Sequence, residues 1–314
     1  MKDRVLVSCV QLQQTIEAYR ETFQKNNIEI ELPEVVQKLT EKQLLDIIDR
    51  FDGVIAGDDE FTAAVIHKAE RLKVISKWGV GVDAIDREAA EERGIRVTNT
   101  PDAFSDELAD LVMAYTVMLA RNLLALDSGV RGNRWPRIRG ASLRGKTIGT
   151  IGVGGIGKAV IRRAVAAGLE PVGNDVRPVS GDFVRETGIR LMSLEELLGC
   201  SDFISLNCDL NSKNRHLLGG REFRLMKKGV FIINTARGPL IDEPALISAL
   251  KEGRVAGAAL DVFEEEPLPE SSPLRDIPGC IFGSHNGSNT REAVLRVNER
   301  AINNLLKGLG KGSS

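Results

Sequence analysis

The stretch KTIGTIGVGGIGKAV, residues 146–160, sets Gly152, Gly154 and Gly157 in a G-x-G-x-x-G spacing between an apolar strand-like run and an apolar helix-like run. Gly152 permits a tight turn, Gly154 lets the backbone approach a pyrophosphate, and Gly157 lets the helix lie close to the strand. The pyrophosphate would sit on the helix N-terminus, where the N–H groups of residues such as Gly155 and Ile156 point outward. Glycine-rich turns are common and many bind nothing, so the surroundings decide. LEPVGN at 169–174 reads as the next strand, and Asp175 follows Gly157 by 18 positions. That is about the spacing at which an acid meets the adenosine ribose hydroxyls. Together these features predict a dinucleotide cradle. A carboxylate at 175 repels a 2′-phosphate and accepts hydrogen bonds from a free diol, favouring NAD over NADP; Arg177 is the nearby group able to pair with such a phosphate.

Outward from this turn, short apolar runs alternate with helical patterns. They lie at 4–10, 28–32, 53–57, 72–76 and 95–99 before the turn, and at 203–206, 229–234, 255–260 and 280–283 after it. Such alternation predicts parallel βα units, hence an α/β fold of two doubly wound parallel-sheet units in tandem. Between the units, residues 106–125 carry Leu108, Leu111, Val112, Tyr115, Met118 and Leu119 at helical spacing, which predicts one long joining helix. A last helical pattern, 290–306, aligns Val294, Val297, Ala301, Ile302 and Leu305 on one face, and periodicity leaves open which unit it packs on. The glycine-rich tail GLGKGSS is expected to fray. Because a different unit precedes the nucleotide fold, chemistry is expected in the cleft between the two.

With 314 residues there is room for about two domains, each with its own core. The 42 basic and 44 acidic residues are interspersed at a net charge of −2, so nothing points to nucleic acid or a membrane surface as a partner. The start, MKDRVLVSCV, is unlike a secretory signal, and no apolar stretch approaches the roughly 18 residues of a membrane span. A soluble cytoplasmic protein is expected. Cys9, Cys200, Cys208 and Cys280 lack C-x-x-C spacing, so neither a metal site nor a disulfide is expected, and Cys9 and Cys280 read as core thiols within strand-like runs.

Only three histidines are available for proton transfer. His67 lies in a helical pattern beside a lysine and reads as a surface residue. His216 opens an apolar turn and reads as structural. His285, in FGSHNGSNT, stands just beyond a strand's carboxyl end, the edge where open α/β sheets place ligands, and a histidine there can move a proton near neutral pH. Arg237, in FIINTARGPLIDE, holds the equivalent edge of another strand, where its planar fork suits a carboxylate; a solvated loop arginine is the plainer alternative. Glu266, in DVFEEEPLP, is one of three adjacent glutamates, normally an exposed charge. Beside His285 it would fix the imidazole tautomer and favour the protonated acid that ketone reduction requires.

These groups and the nucleotide turn together resemble the D-isomer-specific 2-hydroxyacid dehydrogenase family, in particular its D-3-phosphoglycerate dehydrogenase and glyoxylate/hydroxypyruvate reductase branches. The resemblance spans nearly the whole chain through IGVGGIG at 151–157, NTARGPLIDEPAL at 234–246, AGAALDVFEEEPLP at 256–269, VGVD at 80–83 and NTPD at 99–102. It implies that Arg237, Glu266 and His285 are the catalytic arginine, glutamate and histidine. Arg237 would grip the substrate carboxylate and polarise the 2-oxo group while His285 protonates the oxygen as hydride arrives from NADH. It further implies that N–H groups of Trp78, Gly79, Val80 and Gly81 complete the carboxylate site, that Asp261 meets the nicotinamide amide, and that Thr235 belongs to the cofactor site.

The resemblance also implies a flavodoxin-like substrate domain, 1–102 plus 288–314, into which a Rossmann NAD-binding domain, 103–287, is inserted. It implies a homodimer formed through the nucleotide domain, with Trp135 resembling a tryptophan that in some members reaches the neighbouring subunit's site. No regulatory domain is expected after residue 306. Lys77 stands where phosphoglycerate dehydrogenases often place an arginine, a position suited to a distal phosphate. Where many relatives read H-x-P-L, this chain has Asn207, Cys208, Asp209 and Leu210, and Asn286 precedes Gly287 where Leu or Ile is common. Both changes add polarity and point to a polar substrate, with local loop adjustment as the plainer explanation. Two rival functions share the fold: an NAD(H)-sensing scaffold of the corepressor type, and an enzyme acting on formate or phosphite.

Overall fold

The computed structural model describes residues 2–311, so the end of the glycine-rich tail lies outside the described residues. The chain divides into two compact units, one running to Ala103 and resuming at Asn289, the other Phe104–Ser288.

In the first unit five parallel strands, β1 (Asp3–Val7), β2 (Ile28–Glu31), β3 (Gly53–Ala56), β4 (Val74–Lys77) and β5 (Arg96–Thr98), lie in the order β2-β1-β3-β4-β5. Every residue of β3 and β4 is buried, as expected of central parallel strands covered on both faces. Leu6, Val54, Phe61, Ile66 and Ile75 belong to one continuous core. The last helix, Arg291–Gly308, packs on β3 and β4, and its Val297, Ala301, Ile302 and Leu305 are buried. Ser76 Oγ donates to the Ala301 carbonyl at 2.8 Å and Trp78 Nε1 to Asn298 Oδ1 at 2.7 Å, which fixes the helix's rotation as well as its position.

The second unit contains β6 (Thr147–Ile151), β7 (Glu170–Asn174), β8 (Arg190–Leu191), β9 (Phe203–Leu206), β10 (Val230–Asn234), β11 (Val255–Leu260) and β12 (Cys280–Phe282). They form a parallel sheet in the order β12-β11-β10-β9-β6-β7-β8. From β6 the chain winds outward through β7 to β8 and then returns to β9 on the opposite side of β6. The winding therefore reverses between β6 and β9, the place where open α/β sheets leave a crevice at their carboxyl ends. Ile148, Val160, Phe203, Ile233 and Ala259 share a core with the helix Ser105–Arg121, and Leu197, Phe223, Ile232, Leu246 and Leu260 belong to a second.

Three local features differ from the sequence expectations. The first apolar run stops being a strand at Val7, and Val10 already begins a helix, Val10–Gln14, so Cys9 is a buried thiol at a strand–helix junction. The joining helix is two helices, Ser105–Arg121 and Leu123–Arg131, bent by 65° at Asn122, whose φ of 53° is left-handed. Asparagine enters that conformation more readily than most side chains, which locates the break. β8 is two exposed residues long, too short for an apolar pattern. Among the described residues no single helix is long and apolar enough to cross a membrane.

Candidate active site

The glycine turn after β6 is closed by packing that only glycine allows. Gly152 has φ 90°, and a Cβ there would lie 2.7 Å from the Asn207 carbonyl carbon and the Cys208 nitrogen. A Cβ on Gly157 would overlap the Gly152 carbonyl, whereas one on Gly154 would meet nothing within 4 Å. The turn is thus shut on its protein side and open at Gly154. That glycine caps the helix Gly155–Ala166, whose first-turn N–H groups have no intrahelical acceptor. Asp175 braces the turn: Oδ2 accepts the Val153 N–H at 2.6 Å and Oδ1 the Arg177 N–H at 2.7 Å. Beyond β10, the buried Thr235 hydroxyl has no hydrogen-bond partner among the described residues, which a bound ligand would supply. A turn open at Gly154, a carboxylate just beyond the end of β7 and an orphan hydroxyl fit a dinucleotide.

The segment after β9 lies against this turn. Burial pushes the Cys208 thiol up to about 11, and the Asp209 and Asp175 carboxylates push the same way. Asp209 and Asp175 therefore share one electrostatic neighbourhood around Cys208.

The three candidate catalytic residues leave the carboxyl ends of three adjacent strands: Arg237 after β10, Glu266 after β11 and His285 after β12. Asn234, the last residue of β10, shapes the arginine loop by donating from Nδ2 to the Arg237 carbonyl at 2.9 Å and accepting the Ala236 N–H at 3.0 Å. Arg237 Nη1 donates to the Ala236 carbonyl at 2.8 Å. Gly238 lies so close to the Phe263–Glu264 backbone that a Cβ would overlap the Phe263 carbonyl. The arginine and glutamate loops are therefore in backbone contact.

His285 Nδ1 lies 2.7 Å from Glu266 Oε2, and Glu266 Oε1 accepts the Phe263 N–H at 2.9 Å. A carboxylate at Nδ1 favours the tautomer that carries its proton there. The histidine loop is set by Asp261, which is buried. Its carbonyl accepts the His285 N–H at 2.7 Å, Oδ1 accepts the Asn286 N–H at 3.1 Å, and Oδ2 accepts the Gly287 N–H at 2.8 Å. Burial, with Asp261 adding, pushes Tyr115 up to about 12, so it stays a neutral phenol beside that carboxylate. Sequence reading named Asp261 for the cofactor but missed its hold on the histidine loop, and it passed over Asn234 altogether. An asparagine just before a turn was the available signal.

In the first unit, Trp78 donates its N–H to the Ala56 carbonyl at 2.9 Å, and Gly79, with φ 130°, donates to Thr100 Oγ1 at 3.1 Å. Those two N–H groups are bonded within the first unit. Lys77 is buried, with Nζ 2.9 Å from Asp58 Oδ1 and 3.0 Å from the Trp78 carbonyl. A phosphate would have to compete with Asp58 for it. His67 is exposed, and its Nδ1 lies 2.6 Å from the Ala63 carbonyl.

Residues 113–287 match the family model described as D-isomer specific 2-hydroxyacid dehydrogenase, NAD binding domain. A D-3-phosphoglycerate dehydrogenase of Methanocaldococcus jannaschii is 44% identical over 264 residues, covering 83% of this chain and 50% of that protein. A hydroxypyruvate reductase of Thermotoga maritima is 35% identical over 285 residues, covering 89% and 92%. The crystal structure of D-lactate dehydrogenase from Aquifex aeolicus, complexed with NAD and lactic acid, superposes with a TM-score of 0.87 at 25% identity, covering 99% of this chain and all of that one. The chain thus belongs to the D-isomer-specific 2-hydroxyacid dehydrogenase family, and its second unit contains that family's NAD-binding domain. It spans about half the length of the M. jannaschii relative.

Proposed function

We propose that this chain is an NAD-dependent oxidoreductase interconverting a D-2-hydroxy acid and its 2-oxo acid, of phosphoglycerate dehydrogenase-like or hydroxypyruvate/glyoxylate reductase-like specificity. The observation that carries this is the 2.7 Å pairing of His285 with Glu266 on strand ends beside the one that bears Arg237. Bound NADH supplies the hydride. Arg237 holds the substrate carboxylate in its fork and polarises the 2-oxo group. His285 gives a proton from Nε2 to the 2-oxo oxygen, and in oxidation takes the hydroxyl proton back. Glu266 keeps the imidazole in the required tautomer throughout. Asn286 favours a substrate with further polar groups.

Asp175 selects NAD over NADP by charge. A homodimer is supported by the exposed Leu123, Leu124 and Val130 on the helix Leu123–Arg131 and the exposed Trp135 and Ile138 in the loop that follows it. Four free thiols suit a reducing, cytoplasmic setting.

The test is NADH oxidation by purified protein with glyoxylate, hydroxypyruvate, phosphohydroxypyruvate, pyruvate and longer sugar-derived 2-oxo acids, repeated with NADPH. Consumption of at least one 2-oxo acid, with NADH preferred and a D-product, is expected. Binding of NADH with no 2-oxo acid consumed, or turnover of formate or phosphite instead, would contradict the proposal.

A further inference from the structure

Two histidines of the second unit hold left-handed backbone conformations, His216 at φ 53° and His285 at φ 54°. Each pairs with a glutamate of the same short loop: His285 with Glu266, and His216 with Glu264 through Nε2 and Oε1, 2.5 Å apart. A non-glycine residue holds positive φ at a cost, and at position 216 the conformation is retained in a side chain that reaches the loop carrying Glu266.

His216 also touches the arginine loop. Its N–H donates to the Pro239 carbonyl at 2.8 Å, the Leu218 N–H to the Leu240 carbonyl at 3.0 Å, and the Asp242 N–H back to the Leu218 carbonyl at 3.0 Å. Residues 216–218 are thus laced to the segment that follows Arg237, while the His216 imidazole holds Glu264. Glu264 is tied down on its other side, its N–H donating to Glu243 Oε1 at 2.6 Å. One residue earlier, the Phe263 N–H fixes the Glu266 carboxylate that orients His285.

From this continuous path we propose that His216 is a positioning residue, and that its pair with Glu264 latches the glutamate loop onto the arginine loop so that Arg237 and the His285–Glu266 pair are held in register. The charged groups around it fit that role. Asp242 Oδ2 stands 4.0 Å from Nδ1, and its other oxygen caps the helix Glu243–Lys251 through the Ala245 N–H. The imidazole therefore has a carboxylate bonded at Nε2 and a second one 4.0 Å away on the side of Nδ1.

The proposal rests on the reading of Arg237, Glu266 and His285 given above, and one set of variants separates the two. With NADH and the best 2-oxo acid of the panel, His216→Ala, Glu264→Ala and their double variant are compared with wild type for kcat, KM and Tm. His216→Asn serves as a control because it tolerates the left-handed backbone but is too short to reach Glu264. About a tenfold loss of kcat is expected in each single variant, with the KM for NADH unchanged and no further loss in the double variant, since both substitutions break one contact. His216→Asn should match His216→Ala, and Glu264→Gln, which keeps an acceptor, should stay near wild type. Values of kcat within twofold of wild type in both alanine variants, or losses that multiply in the double variant, would overturn the latch. His285→Ala is measured alongside: if inactive, a failed latch leaves the active-site reading standing, and if it turns over like wild type, both fall.

Discussion

Glu266 reaches His285 at 2.7 Å although the two follow different strands, β11 and β12, and are 19 residues apart in the chain. Neither loop makes this pairing alone. The Phe263 N–H sets the carboxylate from one side and the Asp261 carbonyl sets the histidine backbone from the other. Glu266→Ala is expected to lower kcat by about tenfold or more, with a smaller change in the KM of the oxo acid, because in the proposed mechanism it releases the group that orients the proton donor while Arg237 still holds the carboxylate. Steady-state kinetics check this, and a rise in KM at unchanged kcat would contradict it.

Arg237 is expected to resist even conservative replacement. An ammonium cannot reproduce a two-pronged hold on a carboxylate, so Arg237→Lys should lose about 1.5–3 kcal/mol, roughly tenfold to a hundredfold in kcat/KM, through both KM and kcat. A variant within twofold of wild type would exclude Arg237 from carboxylate binding.

The Gly152–Gly157 contact makes the cradle sensitive to a single methyl group. Since a Cβ on Gly157 would overlap the Gly152 carbonyl, Gly157→Ala must push the helix away from the turn. Overpacking of this kind costs about 1–3 kcal/mol, so both Tm and NADH affinity should fall. Melting curves and titration calorimetry with NADH give the two readings.

Asp175, proposed to meet the adenosine ribose, accepts the Val153 and Arg177 N–H groups. Asp175→Ala should therefore weaken NADH binding by about tenfold or more, from lost charge-assisted hydrogen bonds, while weakening NADPH binding less. Direct binding of the two cofactors to the variant checks the ratio. An unchanged preference would remove Asp175 from cofactor selection.

Burial pushes the Glu243 carboxyl above its usual 4.5, opposed by the Glu264 N–H it accepts and reinforced by the neighbouring Glu264, Glu266 and Glu265 carboxylates. A carboxyl that holds its proton more tightly folded than unfolded contributes stability that is fully present below 4.5 and lost as pH rises through the folded value. Glu243→Gln, which keeps an acceptor for that N–H, should therefore raise Tm at neutral pH and converge with wild type in acid. Melting curves across pH test this, and a lower Tm than wild type at neutral pH would contradict it.

The glycine turn, Asp175 and the strand ends bearing Arg237 and His285 are legible in the sequence because each depends on local geometry: residue spacing, strand period and loop position; Glu266 is distinguished from Glu264 and Glu265 only by the family resemblance. What stayed hidden depends on partners far along the chain. Lys77 is committed to Asp58 on the neighbouring strand's loop, and His216 to Glu264, 48 residues away. The break at Asn122 was masked for another reason. Apolar periodicity runs straight through it, and only the asparagine's tolerance of a left-handed backbone marks the bend. Asp261 is singled out by the family resemblance alone, and its hold on the Asn286 and Gly287 N–H groups requires β11 and β12 to lie side by side.

The most direct test of the central claim is the turnover of His285→Ala on the 2-oxo acid that the wild type reduces best with NADH, measured on protein shown by calorimetry to bind NADH normally. If His285 delivers the proton, kcat falls by about a hundredfold to ten-thousandfold while NADH binding persists. Turnover equal to that of the wild type would contradict the account.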